Sequence, residues 1–141
     1  MAKILNRKDF QKCSKVRIQE AKLLLENNCY CGAYYFAGLA IECGLKAVIA
    51  RQTKIHQFPD KNHAMNSFTH ELNGLAKTAG LHLVLNAKKK SDPLFDANWS
   101  IVLDWKIESR YLPIEQSNAE SIFKAAVQRR HGVLPWIRKH W

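Results

Sequence analysis

The chain has 141 residues, of which 47% are hydrophobic and 24% are charged, and this composition excludes a disordered or fibrous protein. The 22 Lys and Arg residues outnumber the 12 Asp and Glu residues, which gives a formal net charge of +10. The length predicts a single domain that spans residues 1–141. A positive surplus of this size favours negatively charged partners, nucleic acids among them.

Residues 1–10 contain no apolar segment of the kind found in secretory signals. The most apolar part of the chain is interrupted by Glu42 and Lys46, so it is shorter than the roughly 20 apolar residues that a membrane span needs. We therefore expect a cytoplasmic protein that does not enter a membrane.

The four cysteines at positions 13, 29, 31 and 43 form no CxxC pair, and no His follows them at zinc-finger spacing. We expect no metal site, and we expect all four to be small buried residues in a reducing compartment. The glycine-rich loops that bind dinucleotides or triphosphates, GxGxxG and GxxxxGK[ST], do not occur either. No cofactor is therefore expected.

Two long helices are predicted in the first third of the chain. Apolar residues recur at helical spacing over Asp9–Glu26, and Asn27 and Asn28 are expected to end this helix, because Asn tolerates a left-handed turn. The next segment, Tyr30–Ala50, is apolar on nearly all sides, which predicts a helix at the centre of the fold. Glu42 and Lys46 stand four residues apart in it, so they are expected to form a partly desolvated ion pair.

After a polar loop, Arg51–Phe68, a third helix is predicted with Thr69 as its N-cap and Gly80 as its end. Leu81–Leu85 is expected to add a short turn. The three lysines that follow, Lys88–Lys90, are expected to form an exposed basic run.

Asp92 and Pro93 are typical of a helix start, and the fourth helix is predicted to continue to about Glu108. Ser117 and Glu120 have the spacing of a capping box for a fifth helix. The sequence contains no convincing strand pattern and no internal repeat. We therefore predict an all-α protein, an antiparallel bundle of four to five helices.

Small and aromatic residues surround one Glu and one Lys between Cys31 and Ala50. The residues that form this pattern are Ala33, Tyr34, Tyr35, Gly38, Glu42, Leu45, Lys46 and Ala47. Further along the chain, Thr69–Leu72, and Trp105 followed by Arg110 and Tyr111, extend the pattern. Together these segments, which span roughly residues 10–130, resemble the HEPN family of nucleotide-binding helical domains.

The resemblance implies a bundle of four or five helices that commonly forms homodimers. Members of the family often pair with small nucleotidyltransferases in toxin–antitoxin modules, and some are metal-independent ribonucleases. Those ribonucleases carry an Arg followed four to six residues later by a His. The Arg would neutralise a phosphate, and the His would transfer a proton to or from an oxygen atom of the substrate.

The late Arg of this motif corresponds to Arg110, but residues 115–117 read Glu-Gln-Ser and supply no His. Arg51 and His56 do satisfy the spacing. That pair is either a catalytic pair or a helix-end Arg and a loop His that meet the spacing by chance. The missing His after Arg110 favours a non-catalytic protein.

Five residues are candidate ligand-binding residues: Arg110, Tyr111, Glu42, Lys46 and His70. Arg110 and Tyr111 are expected either to bind phosphate or to fix the turn between two helices. Glu42 either orients a cationic partner or forms a structural pair with Lys46. His70 is expected in the first turn of the third helix, as a ligand-binding residue or as a surface residue.

Basic residues provide the remaining functional signal. Lys88–Lys90, together with basic residues after Arg110 such as Arg129 and Arg130, either form a face toward RNA or are an ordinary solvated surface. Gly132 and Pro135 are expected to break the last helix before an aromatic and basic tail, Trp136–Trp141, which would stack on bases, contact a second subunit or fray.

These observations predict a non-catalytic binding module for a nucleotide, RNA or a small nucleotidyltransferase. The alternative is a metal-independent ribonuclease toxin that uses Arg51 and His56, or a His distant in sequence such as His70. Binding of RNA through a basic surface would weaken as the salt concentration rises.

Overall fold

A computed structural model of the protein describes residues 5–52 and 61–141. Every regular element in these two ranges is helical, so the all-α prediction is confirmed. The helices are α1 (Arg7–Glu26), α2 (Tyr30–Gln52), α3 (Lys61–Asn66), α4 (Leu72–Thr78), α5 (His82–Ser91), α6 (Pro93–Leu103), α7 (Gln116–Val127) and α8 (Val133–Arg138). A 3₁₀ turn, Ile107–Tyr111, lies between α6 and α7.

Helices α1 and α2 form an antiparallel hairpin. Asn28 adopts the left-handed conformation (φ of 60°) that reverses the chain, as an Asn at a helix end tolerates. Further along the hairpin, the hydroxyl of Ser14 donates a 2.7 Å hydrogen bond to the carbonyl oxygen of Ala40. This bond satisfies a buried hydroxyl and fixes the register of the two helices.

Helix α2 is the central element, as its apolar sequence predicts. It packs against α1, α4, α7, α8 and the 3₁₀ turn. Among the described residues it is also the one helix long and apolar enough to cross a membrane, with a mean hydropathy of 1.4 over the best window. However, 67% of that window is buried inside the protein, as in the core helix of a globular protein.

The small residues of α2 allow its neighbours to approach closely. Trp105 is 2% exposed, and its indole lies where a side chain on Gly38 would be. Helix α6 ends at Leu103, so the prediction that it continues to Glu108 is wrong. The amide of Trp105 bonds to the carbonyl of Val102, three residues back, and the tightened turn directs the indole into the core.

Two other predictions about the middle of the chain are wrong. Thr69 does not cap a helix, because its hydroxyl accepts the amide of Glu71 and α4 begins only at Leu72. The segment predicted as a short turn continues as helix α5 to Ser91, anchored by the buried side chain of Leu85. Gly80 ends the third predicted helix as expected, with a positive φ of 72°.

The end of the chain also differs from the prediction. Ser117 and Glu120 form no capping box, because α7 begins at Gln116, whose side-chain amide donates to the Glu120 carboxylate at 2.8 Å. Helix α8 includes Pro135 and the first three residues of the predicted tail, so the chain is still helical where a frayed end was one of the expectations. Trp136 is 6% exposed and packs against the ring of Phe95 at 5.3 Å between centroids, so it is a core residue.

Asp92 joins three parts of the fold. One of its oxygens accepts the amide of Phe95 at 3.0 Å, which confirms the predicted cap of α6. The other accepts Nδ1 of His131 at 2.7 Å and lies 3.1 Å from Nζ of Lys88. The hydrogen bond from His131, followed by those from Phe95 and Lys88, lowers the pKa of the Asp92 carboxyl well below its usual range.

The cysteines divide into two pairs. Cys43 is buried, and its sulfur lies 3.1 Å from the sulfur of partly buried Cys13, across the α1–α2 contact. Burial is the main cause of a raised pKa at the Cys43 thiol. Cys29 and Cys31 are exposed, so the prediction that all four are buried is wrong: these two lie at the turn of the hairpin, where the sulfur of Cys31 contacts the carbonyl oxygen of Leu112 at 3.6 Å.

We expect Gly38→Ala to lower the free energy of unfolding by about 1–3 kcal/mol, because the added methyl group overlaps a buried indole that has little room to move. Gly74→Ala in α4 is the matched control. There the new Cβ would meet the Glu71 carboxylate at an ordinary 3.4 Å, so the gain in helix propensity should stabilise the protein by up to about 1 kcal/mol. Urea denaturation measures both; equal effects would contradict the Gly38–Trp105 contact.

Asp92→Asn should flatten the acid limb of the stability curve. Folding lowers the pKa of Asp92. Its contribution to the free energy of unfolding is therefore present above the unfolded-state pKa of about 3.9 and is lost as the pH falls through the lower folded-state pKa. Wild-type stability should therefore fall more steeply below about pH 4 than that of the variant. Thermal melts from pH 7 to pH 2 provide the measurement, and parallel curves would show that the carboxylate contacts are weak in solution.

Candidate functional site

Four residues of α2 line one side of the helix: Tyr35, Leu39, Glu42 and Lys46. Their spacings of four, three and four residues place them on one face. We call this face the α2 strip. Tyr35, Leu39 and Lys46 are partly exposed, whereas Glu42 is only 4% exposed. The strip is thus accessible over part of its length and has a carboxylate beneath it.

The Glu42 carboxylate binds two cationic or polar groups. One oxygen lies 2.6 Å from Nδ1 of His70, and the other lies 3.8 Å from Nζ of Lys46. The predicted pair of Glu42 and Lys46 is therefore present. His70 is not in the first turn of a helix as predicted; it lies just before α4.

This arrangement orients the imidazole of His70. An ionised carboxylate can only accept hydrogen bonds, so Nδ1 is the donor and Nε2 is the ring nitrogen left to contact a ligand. The His70 side chain is 49% exposed, while the Glu42 side chain is 5% exposed. A buried carboxylate that orients a half-exposed imidazole is suited to hydrogen bonding with a ligand or to proton transfer.

Arg110 and Tyr111 lie at the other end of the strip. The guanidinium of Arg110 is 4.8 Å from the centre of the Tyr111 ring, and the Tyr111 side chain is 74% exposed. Interaction with the Tyr111 hydroxyl, followed by hydrogen bonding to Tyr35, raises the pKa of Arg110. Tyr35 in turn packs against Trp105, with 6.3 Å between ring centroids. The 3₁₀ turn thus places a cation and an aromatic ring beside the strip.

The five candidate ligand-binding residues therefore flank one surface. Tyr35 and Glu42 are seven residues apart, which corresponds to about 10 Å along the axis of α2. The Arg110 group and the His70 group lie beside these two positions. A ligand that spans them would meet a guanidinium and an exposed ring at one end, and an oriented imidazole and an ammonium at the other.

Arg51 is not part of this surface. It stands nine residues after Glu42, which places it on the opposite side of α2. Its guanidinium donates a 3.1 Å hydrogen bond to the carbonyl oxygen of His140. The other half of the predicted catalytic pair, His56, lies outside the residues that the structure describes.

Two further expectations concern metals and the lysine run. No group of three or more His, Cys, Asp or Glu side chains that could bind a metal ion occurs within residues 5–52 and 61–141.

In the run Lys88–Lys90, Lys88 lies 3.1 Å from Asp92 and Lys89 lies 3.8 Å from Asp96. The charge of this run is thus partly neutralised within the protein, so it is a weaker anion site than the sequence indicates.

The sequence shows the residues of the site but not their pairing. His70 follows Glu42 by 28 positions, and Arg110 is still further from Tyr35. The one sequence feature that pointed to this pairing was Glu42 itself, a single carboxylate in an otherwise apolar helix. A buried carboxylate needs hydrogen-bonding partners, and Lys46 alone does not satisfy it. That signal predicts a second partner for Glu42 without identifying His70.

Comparison of the chain with protein-family models, with curated proteins and with solved structures found no match. The resemblance to the HEPN family therefore stays a prediction that depends on the residues of α2 and on Arg110 and Tyr111. Function has to be inferred from the side-chain geometry described above.

A double-mutant cycle should detect the contact between Glu42 and His70. His70→Ala leaves a buried carboxylate with Lys46 as its remaining partner, so we expect it to cost about 1–3 kcal/mol of unfolding free energy. In a Glu42→Gln background, which has no buried charge, the same substitution should cost much less. The coupling free energy, measured by urea denaturation, should exceed about 0.5 kcal/mol; simple additivity would contradict the contact.

Proposed function

We propose that the protein is a non-catalytic binding module of the HEPN type, and that it binds a nucleotide or a short segment of RNA along the α2 strip. The observation that carries this proposal is the convergence of Arg110 and Tyr111 at one end of the strip with His70 and Lys46 at the other. These residues come from three separate parts of the chain. Their side chains combine the charge, the aromatic surface and the hydrogen-bonding groups that a nucleotide requires.

Each group has a role that follows from its chemistry. Arg110 presents a guanidinium that binds phosphate oxygens through two parallel hydrogen bonds. The exposed ring of Tyr111 offers a surface on which a base can stack. His70 and Lys46 supply a hydrogen bond and a positive charge about 10 Å further along α2, which suits a second phosphate or a sugar hydroxyl.

The proposal includes the assembly that the resemblance implies. The helices would form an antiparallel bundle around the α1–α2 hairpin, and two copies would form a homodimer in the cytoplasm. Trp136 is buried and cannot supply the interface, but Leu83 on α5 and Leu94 on α6, which are 72% and 57% exposed, can. A small nucleotidyltransferase of a toxin–antitoxin system is the proposed protein partner.

A second function, metal-independent RNA cleavage, is favoured by one observation. The 2.6 Å contact between Glu42 and His70 is the arrangement by which a carboxylate orients a general base. His70 would then replace the His that is missing after Arg110 and would accept the proton of a ribose 2′-hydroxyl group. The 2′-oxygen would attack the adjacent phosphorus and displace the 5′-oxygen, which would take a proton from water. The Lys46 ammonium, 3.8 Å from the same carboxylate, would stabilise the negative charge that develops on that phosphate, since Arg110 lies at the far end of the strip.

Nucleotide binding tests the first proposal directly. Arg110→Ala and Tyr111→Leu should each weaken the binding of a fluorescent nucleotide, and the loss at Arg110 should be about 10- to 100-fold because it removes a charged hydrogen bond. Arg17→Ala is the matched control, because it removes a guanidinium that is already paired with Glu20 on α1 at 2.8 Å. Equal losses in the control and in Arg110→Ala would contradict the site.

A cleavage assay separates the two functions. The binding proposal predicts that single-stranded RNA stays intact in the presence of EDTA. Cleavage that is lost in His70→Asn and kept in Arg17→Ala would instead establish the ribonuclease. Sedimentation of the wild type provides a check on assembly, since a concentration-independent 16.2 kDa species would exclude the homodimer.

A further inference from the structure

Three segments that are distant in sequence meet at one end of the protein: the start of α1, the end of α2 and the residues that follow α8. The Arg7 guanidinium donates a 2.8 Å hydrogen bond to the carbonyl oxygen of Trp141, and the Gln11 side chain donates to the same oxygen at 3.0 Å. Arg51, at the end of α2, donates to the neighbouring carbonyl oxygen of His140 at 3.1 Å. These bonds connect both helices of the hairpin to the last residues of the chain.

Positive charge is concentrated in these segments. We call the surface formed by their basic residues the basic end; its members are Arg7, Lys8, Lys12, Lys15, Arg51, Arg138 and Lys139, and all of them are exposed. Asp9 is the acidic residue in the same segments, and its carboxylate is already used by the α1 capping box, where it accepts the amide of Asn6 at 3.0 Å. The basic end therefore accounts for more than half of the net charge of +10.

The indole of Trp141 helps to hold these cations in place. Nζ of Lys15 lies 5.9 Å from the centre of the ring, and the guanidinium carbon of Arg138 lies 5.8 Å from it. Cation–π contacts at these distances are attractive. The Trp141 ring is itself partly buried against the core. The Lys15 and Arg138 side chains are thus held in place before a ligand arrives, so less conformational entropy is lost when the ligand binds.

The imidazole of His140 lies within this field. Burial lowers its pKa, and the positive charges of Lys139 and Arg51 lower it further. Within residues 5–52 and 61–141, no carboxylate contributes to this shift. His140 is therefore a natural reporter of negative charge arriving at the basic end, because a bound phosphate would offset Lys139 and Arg51.

We propose that the basic end is a docking surface for the phosphate backbone of single-stranded RNA. Charge complementarity identifies this ligand: the surface is a cluster of cations from three segments, and the Trp141 ring that Lys15 and Arg138 contact is partly exposed, as expected for a surface that follows a backbone and contacts an occasional base. The inference rests on the proposed function only for the class of ligand. It adds a second surface, since Arg51 lies on the opposite side of α2 from Glu42.

The test is binding of a fluorescent 12-nucleotide oligouridine at several salt concentrations. Replacing Lys8, Lys12 and Lys139 together with Gln removes three charges without removing any residue that bonds Trp141 or His140. Affinity should fall at least tenfold at low salt, and the slope of log affinity against log salt should decrease by about 2, because each phosphate contact on a single strand contributes about 0.7. In the wild type, oligouridine should raise the pKa of His140 in an NMR titration.

The matched control replaces Lys88, Lys89 and Lys90 with Gln, which changes the net charge equally on α5. Affinity and salt slope should then stay near the wild-type values. Equal losses in both triple variants would overturn the proposal by showing that net charge alone matters. An affinity for oligouridine that is unchanged in the basic-end variant would overturn the proposal directly. Binding to vesicles that contain phosphatidylserine, without binding to RNA, would also overturn it, because the surface would then be one that binds lipid.

Different results would contradict the α2 strip and the basic end, so each proposal can be tested independently of the other. Arg110→Ala should weaken the binding of a mononucleotide and leave the salt slope of oligouridine binding nearly unchanged, since Arg110 contributes a single charge outside the basic end. If mononucleotides do not bind and the basic end still determines RNA affinity, the α2 strip is wrong and the basic end stands. If the reverse holds, the basic end is wrong and the strip stands.

Discussion

Helix α2 can be stable only if other helices cover most of its circumference, and this requirement organises the rest of the fold. Alanines and glycines in α2 offer little side-chain volume, so the covering elements have to come close to its backbone. The indole of Trp105 over Gly38 and the Ile137 methyl group, which would lie 3.1 Å from a Cβ on Gly44, are two such close contacts. Large residues on the neighbours thus complement small residues on the central helix.

The same requirement places a carboxylate where the fold has to satisfy it. Glu42 lies on a helix that is buried for packing reasons, and a buried charge is costly unless it is paired and hydrogen-bonded. Lys46 provides charge at 3.8 Å, which is too long for a good hydrogen bond, whereas His70 provides the bond at 2.6 Å. An oriented, half-exposed imidazole beside the α2 strip therefore follows from the burial of Glu42.

Local signals in the sequence predicted local structure well. The left-handed turn at Asn28, the stop at Gly80 and the cap at Asp92 all depend on residues within a few positions of one another. The errors arose where distant contacts decide. Helix α6 ends early because Trp105 packs on α2, and α8 exists because Trp136 finds Phe95 and Trp99 in the core. For the same reason the five candidate site residues could be identified individually, but their arrangement along one strip could not.

The antiparallel hairpin separates the two proposed surfaces. Arg51 stands nine positions after Glu42 in α2, so the side chains face opposite sides of the helix and stand about 13 Å apart along its axis. The α2 strip has one deeply buried charge and few cations, which suits recognition of a particular small ligand. The basic end has seven exposed cations from three segments, which suits a long anion of any sequence. A strand that binds at the basic end would be retained near the protein while the strip recognises a nucleotide, and the effective concentration at the strip would rise without a new contact there.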